Sequence, residues 1–121
     1  MKNKRLKIYV AGPYSAYSTN LHDISRLVQK NVDKAIEIGN KLRQKGHIVF
    51  VPHLSHYLHI HYTNKYDMGQ EYWYDYDMSF LNEWANAFFF IGHSRGADME
   101  LERAKELKLK IYYNIEDVPK V

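Results

Sequence analysis

AFFFIGHSRGADMELERAKELKLKIYY, residues 87–113, carries the fold in one stretch. Ala87–Ile91 is an unbroken apolar run of strand length, and Gly92-His93-Ser94-Arg95-Gly96 ends it. From Ala97 to Lys108 the apolar positions Ala97, Leu101, Ala104 and Leu107 recur with the period of a helix, and Lys110–Tyr113 is extended again. A strand, a crossover helix and a second continuous apolar strand predict a parallel sheet covered on its faces.

Working outward, the same grammar repeats. Leu6–Ala11 reads as a strand broken by Gly12-Pro13. An amphipathic helix is predicted over Asp23–Lys45 through Ile24, Val28, Ala35, Ile38 and Leu42, with Gly46 as its stop. His47–Val51 is a further strand, closed by Pro52. His53–Gly69, rich in His and Tyr, is expected to be irregular, a helix is predicted over Gln70–Trp84, and Glu116–Val121 is a short polar tail. The expected fold is α/β: one domain over residues 1–121, a parallel sheet of four to five strands with helices on both faces, Rossmann-like or flavodoxin-like. Ligands of such sheets sit beyond the C-terminal ends of the strands. The loops Gly12–Ser18, Pro52–Gly69 and Gly92–Gly96 all fall at that edge.

A chain of 121 residues suffices for one core. With 45% hydrophobic and 26% charged residues it has the balance of a soluble globular protein. Its apolar runs are too short to span a membrane, and Met1–Lys7 is basic without the apolar segment of a signal peptide. Cysteine is absent, which excludes disulfides, thiol nucleophiles and thiolate metal sites. A cytoplasmic protein is expected. The net charge of +3 comes without a basic block or stripe, so a small anionic molecule is the expected partner, with no nucleic acid polymer and no membrane.

Two acids break the pattern of their helices. Glu100 falls on the apolar stripe of the Ala97–Lys108 helix, and Asp77 on the stripe of Trp73, Phe80, Leu81 and Trp84. A carboxylate there costs several kcal/mol unless it is paired, hydrogen-bonded or used. Asp98 needs no such explanation, since acids favour a helix start. For Asp77, a buried ion pair or a hydrogen bond to a tyrosine stands beside the functional reading. Ser94, Arg95 and Gly96 open a helix directly after a strand, where free amides, a hydroxyl and a guanidinium would hold a phosphate or carboxylate. Gly12-Pro13-Tyr14-Ser15 must lie beside that loop in a parallel sheet.

His53, His56, His59 and His61, with Asp67 and Glu71 downstream, invite a zinc reading, but their spacing matches no standard site. A loop covering a flat ligand, or one at a subunit contact, accounts for them without metal. Tyr57, Tyr62, Tyr66, Tyr72, Trp73, Tyr74 and Tyr76 suit either a stacking wall for a nucleobase or a dimer interface. No metal and no cofactor are expected.

Taken together, Ile8-Tyr9-Val10-Ala11-Gly12-Pro13, Phe50-Val51-Pro52-His53, Asp77 before Phe80-Leu81, and Ser94-x-Gly96-x-x-x-Glu100 resemble the nucleoside 2-deoxyribosyltransferase-like superfamily. Within it the chain looks most like the small 2′-deoxynucleoside 5′-phosphate N-hydrolases. The resemblance implies cleavage or transfer of an N-glycosidic bond of a nucleoside 5′-monophosphate, releasing free base, with the runner-up a non-catalytic nucleotide-binding or sensing module. It implies Glu100 as nucleophile, Asp77 as its acid/base or sugar-positioning partner, and Tyr9 as the residue that orients Glu100. Transferases of the family carry an aspartate six residues before the nucleophile; here Ser94 stands there, as in the nucleotide hydrolases, where serine and glycine grip the 5′-phosphate. Gly12, Pro13, Ser15, His53, Ser94, Arg95 and Gly96 are the implied substrate contacts. The Gly12–Ser15 loop lacks the arginine of the hydrolases. A homodimer or higher homo-oligomer is also implied.

Overall fold

In the computed structural model, which describes residues 3–16, 18–61 and 69–121, strand β1 (Lys7–Ala11) runs through the middle of the molecule. It pairs in parallel with β2 (Ile48–Phe50) on one side and β3 (Ala87–Phe90) on the other, and β3 pairs in parallel with β4 (Lys110–Tyr112). The sheet is therefore four-stranded, all parallel, in the order β2-β1-β3-β4. This is the expected α/β architecture.

Strand pleating sorts the side chains into two cores. Ile8, Val10, Ala87, Phe89 and Tyr112 face helix α1 (Leu21–Gln44) and pack on its Ala35, Ile38 and Leu42. Tyr9, Ala11, Phe88 and Phe90 face the other way, onto Leu81 and onto Ala97, Leu101 and Ala104 of helix α4 (Arg95–Glu106). Helices thus cover both faces. Asn20 caps α1 by accepting from the His22 amide, and Gly46, at φ +100, supplies the left-handed residue that stops it.

Three local readings are corrected. The stretch after β2 is not irregular throughout: Pro52–Leu54 form a 3₁₀ turn and Ser55–His61 form helix α2. Proline at the start of the turn presets its dihedral angle, and no residue of α2 is buried, so no apolar stripe announces the helix. The helix expected over Gln70–Trp84 divides into α3 (Gly69–Ser79) and a π-helical turn, Phe80–Trp84, where the Ala85 amide donates to the Phe80 carbonyl and Leu81 enters the core. The tail is not merely polar. Ile115–Asp117 form a 3₁₀ turn, Val118 is 2% exposed, and Lys45 Nζ donates to the carbonyls of Ile115 (2.6 Å) and Val118 (2.8 Å). Buried His47 joins both ends of the chain, its Nδ1 accepting from the Leu6 amide and its Nε2 donating to the Pro119 carbonyl.

Among the described residues no helix is long and apolar enough to cross a membrane. The chain leaves β1 towards β2 on one side, while β3 lies on the other. The β1/β3 boundary is the topological switch point, where a crevice opens beyond the strand ends.

Candidate active site

Tyr9 sits on the central strand with no exposed surface, its ring stacked on Phe88 at 5.9 Å and tilted against Phe50 at 5.6 Å. A phenol so placed needs a partner for its hydroxyl. That partner is Glu100: the Tyr9 hydroxyl donates to Glu100 Oε2. The contact arises because Ala97, Leu101 and Ala104 dock α4 on this face of the sheet, which turns the flank carrying Glu100 towards β1.

Burial governs the electrostatics. It pushes Glu100 up to about 7, while the Tyr9 hydrogen bond draws the value down and the nearby Asp77 charge adds a further push up. Asp77, on α3, is likewise raised to about 7 by burial, and its Oδ1 is buried with no hydrogen-bond partner. Tyr9 is raised well above its ordinary value, first by burial and then by the Glu100 and Asp77 charges, so its hydroxyl stays protonated. The alternatives kept open for Asp77, an ion pair or a tyrosine hydrogen bond, leave Oδ1 unexplained. Sequence positions 9, 77 and 100 therefore meet as one centre, a buried phenol with two half-buried carboxyls.

The other expected residues divide. Ser94 is the N-cap of α4: its Oγ accepts from the Ala97 amide at 3.1 Å, which leaves its own proton free to donate. Arg95 and Gly96 are exposed, and a Cβ built on Gly96 would meet nothing within 4 Å, so the mouth of the helix is open. Gly12 is buried against β3, where a Cβ would lie 2.9 Å from Ile91 Cβ. Pro13 is half-buried beside it, and Ser15 is exposed. His53 is 5% exposed, but its Nε2 donates to the carbonyls of Gly12 (3.1 Å) and Pro13 (3.0 Å), which turns it towards the loop backbone.

Of the histidine cluster, His56 bonds Tyr14 and His59 lies edge-on to Trp73. Among the described residues no group of three or more His, Asp and Glu side chains is placed to hold a metal ion. Tyr62, Tyr66 and Asp67 lie outside the described residues. Tyr72, Trp73 and Tyr76 form one aromatic cluster, which continues through Phe50 and Phe80 to Tyr9.

Sequence reasoning overlooked two contacts at the same edge. His93 Nδ1 pairs with Asp98 Oδ1 at 2.8 Å, and the Tyr14 hydroxyl shares a 2.7 Å hydrogen bond with His56 Nδ1. The neighbouring loop and helix-start motifs gave each a location but no partner. A groove of about 600 Å³ between α3 and α4 is lined by Tyr74, Asp75, Met78, Met99 and Arg103 among others, but by none of Tyr9, Asp77 and Glu100.

Fold and site together define an α/β protein with a half-buried acid pair at the switch point of a parallel sheet. The chain matches no family model and no curated protein. Among solved structures it is similar to a 2-deoxyribosyltransferase from the psychrotolerant bacterium Bacillus psychrosaccharolyticus, with a TM-score of 0.53 and 24% identity, over 87% of this chain and 69% of that one. The likeness is one of fold.

Proposed function

We propose that the protein is a cytoplasmic enzyme that cleaves, or transfers, the N-glycosidic bond of a nucleoside 5′-monophosphate, releasing the free base. The observation that carries this reading is the Tyr9 hydroxyl bonded to Glu100 with a second raised carboxyl, Asp77, beside it. The similar fold of a 2-deoxyribosyltransferase supports it.

Two carboxyls that both titrate near neutrality and repel each other's charge favour a state holding one proton between them. The Tyr9 hydrogen bond favours the anion on Glu100, which leaves the proton with Asp77. A Glu100 oxygen then attacks C1′ while the C1′–N bond breaks, and the bond's electron pair leaves with the base nitrogen. That nitrogen takes the Asp77 proton. Water next attacks C1′ of the glycosyl ester, Asp77 receives the proton, and Glu100 departs as carboxylate. A second base in place of water completes transfer. The Ser94 hydroxyl, the open amides of α4 and Arg95 are assigned to the 5′-phosphate, since a neutral donor at a helix start accepts a dianion that an aspartate would repel. A homodimer or higher homo-oligomer belongs to the same proposal; Leu54, Tyr57, Leu58 and Ile60 on and beside α2 are 40–52% exposed and offer it an apolar face.

The test is incubation with ribo- and deoxynucleoside monophosphates and the matching nucleosides, with and without an acceptor base, free base being read by chromatography. Base released by the wild type and not by Glu100→Gln is expected, monophosphates being preferred. Saturable binding with no base from any substrate would overturn catalysis and leave a nucleotide-binding module. Light scattering reads the oligomer.

A further inference from the structure

The loop leaving β1 has no regular secondary structure at residues 12–16, yet it is tied down from three directions. From the β2 side, His53 Nε2 lies 3.1 Å from the Gly12 carbonyl and 3.0 Å from the Pro13 carbonyl. Carbonyls only accept, so Nε2 carries the proton and is shared between them. Burial lowers the His53 pKa, the ring is neutral, and Nδ1 is left as a buried lone pair without a partner. From α1, Asn31 Nδ2 donates to the Tyr14 carbonyl at 3.1 Å. From α2, His56 Nδ1 holds the Tyr14 hydroxyl at 2.7 Å, with the two rings edge to face at 5.6 Å.

The loop's fourth side is the exit of β3. Gly12 abuts Ile91, and a Cβ on Gly92 would stand 3.8 Å from Pro13 Cδ. The same β3 exit continues through His93 to Ser94 and the start of α4. Residues 12–13 thus lie at the switch point, against the segment that leads from β3 to the helix mouth. Side chains from three separate elements serve the backbone or tip of this short segment, more than its role as a connector requires.

We propose that His53, Asn31 and His56 are positioning residues: they fix Gly12–Tyr14 as a rigid wall of the candidate site and set ligand affinity through that loop, without touching the reacting atoms. His53 is thereby moved from direct substrate contact to support. The activity readout rests on the glycosidic reading above; the loop order does not.

The test uses His53→Leu, Asn31→Ala and His56→Phe beside His53→Gln, whose amide returns an N–H at the Nε2 end. Turnover of the preferred monophosphate is measured together with exchange of the Gly12, Tyr14, Ser15 and Ala16 amides in the ligand-free protein. His53→Leu and Asn31→Ala are expected to raise KM about tenfold, with kcat within about twofold, and to speed loop exchange about tenfold; both follow from losing one net hydrogen bond. His56→Phe gives smaller changes of the same kind, and His53→Gln restores near wild-type values. Should His53→Leu fail to fold, Asn31→Ala on the half-buried flank of α1 carries the same comparison. Unchanged exchange in both Asn31→Ala and His53→Leu overturns the inference whether or not the protein turns over. A collapse of kcat at constant KM also overturns it, by making His53 catalytic. A wild type that releases no base but shows the exchange contrast would sink the glycosidic reading and uphold the wall.

Discussion

Replacing Glu100 by Gln should make the protein more stable at alkaline pH while removing its chemistry. Burial pushes this carboxyl from the ordinary 4.5 to about 7, against the pull of the Tyr9 hydrogen bond and with a further push from Asp77. The unfolded chain titrates near 4.5, so between that pH and about 7 the folded state keeps a proton that the unfolded state has released. The stability contributed by the protonated group is full below 4.5, is lost as pH rises through about 7, and is flat beyond. The gap corresponds to a ceiling of about 3 kcal/mol. Glutamine removes that penalty, and the shift to about 7 already includes the pull of the charge-assisted Tyr9 bond, so its exchange for a neutral bond takes nothing further off. Partial exposure of Glu100 trims the ceiling, leaving a net gain of about 1–2 kcal/mol at pH 8. For a chain of this size the melting temperature should rise by about 4–8 °C at pH 8, and by no more than about 1 °C at pH 4.5. Thermal unfolding followed by circular dichroism across pH 4.5–8.5 reads the difference. A gain independent of pH, or a Gln variant less stable than wild type at pH 8, would refute the reasoning.

Tyr9→Phe removes a hydrogen bond that favours the Glu100 anion, so the acid limb of the pH–rate profile should move to higher pH and turnover at pH 7 should fall by about 10- to 100-fold; an unmoved profile would exclude the orienting role. Ser94→Ala should cost about 1 kcal/mol of helix capping and reduce the preference for monophosphate over nucleoside, whereas Ser94→Asp should keep the cap and abolish the preference, both measured as ratios of kcat/KM. Gly39→Ala places a Cβ 2.6 Å from Val51 Cγ2; overpacking of about 1–3 kcal/mol outweighs about 1 kcal/mol of helix propensity, and the urea midpoint should fall. Lys45→Met removes the ammonium donor from the Val118 carbonyl and leaves the Ile115 carbonyl with the Val118 amide, and it should lower stability by about 1–2 kcal/mol, with the tail amides exchanging faster.

The sheet was readable because its strands are short and apolar and the first three are ended by Gly or Pro, a pattern with few rivals. The α4 face was readable for the same reason: Ala97, Leu101 and Ala104 mark the core so cleanly that Glu100 stands out beside them. Tyr9 did not stand out, because an aromatic residue within an apolar strand is ordinary core; only the resemblance singled it out. Helix α2 was hidden because burial writes periodicity and none of its residues is buried. Val118 and Lys45 were hidden for the opposite reason. Their contacts join residues 70 and 73 positions apart through backbone carbonyls, which carry no sequence signature. His53 was singled out only as a substrate contact implied by the resemblance; its bonds to Gly12 and Pro13 depend on how two loops meet.

The burial that weakens the fold around Glu100 is also what would make its charge effective. A carboxylate in water spends most of its field on solvent; one held by a buried phenol and itself largely withdrawn from water meets less of that competition. Positive charge developing on a sugar at C1′ would meet an anion that has nothing else to stabilise. The interaction would therefore be stronger in the transition state than with a neutral ground-state sugar, which is the requirement for rate enhancement. The division of the structure suits this. Tyr9 and Glu100 stand on the central strand and on a helix packed against it through Ala97, Leu101 and Ala104, whereas α2 and α3 present mostly half-buried or exposed side chains. In the proposed reaction, base and sugar preference would be set on the aromatic side of the site without disturbing the Tyr9–Glu100 bond.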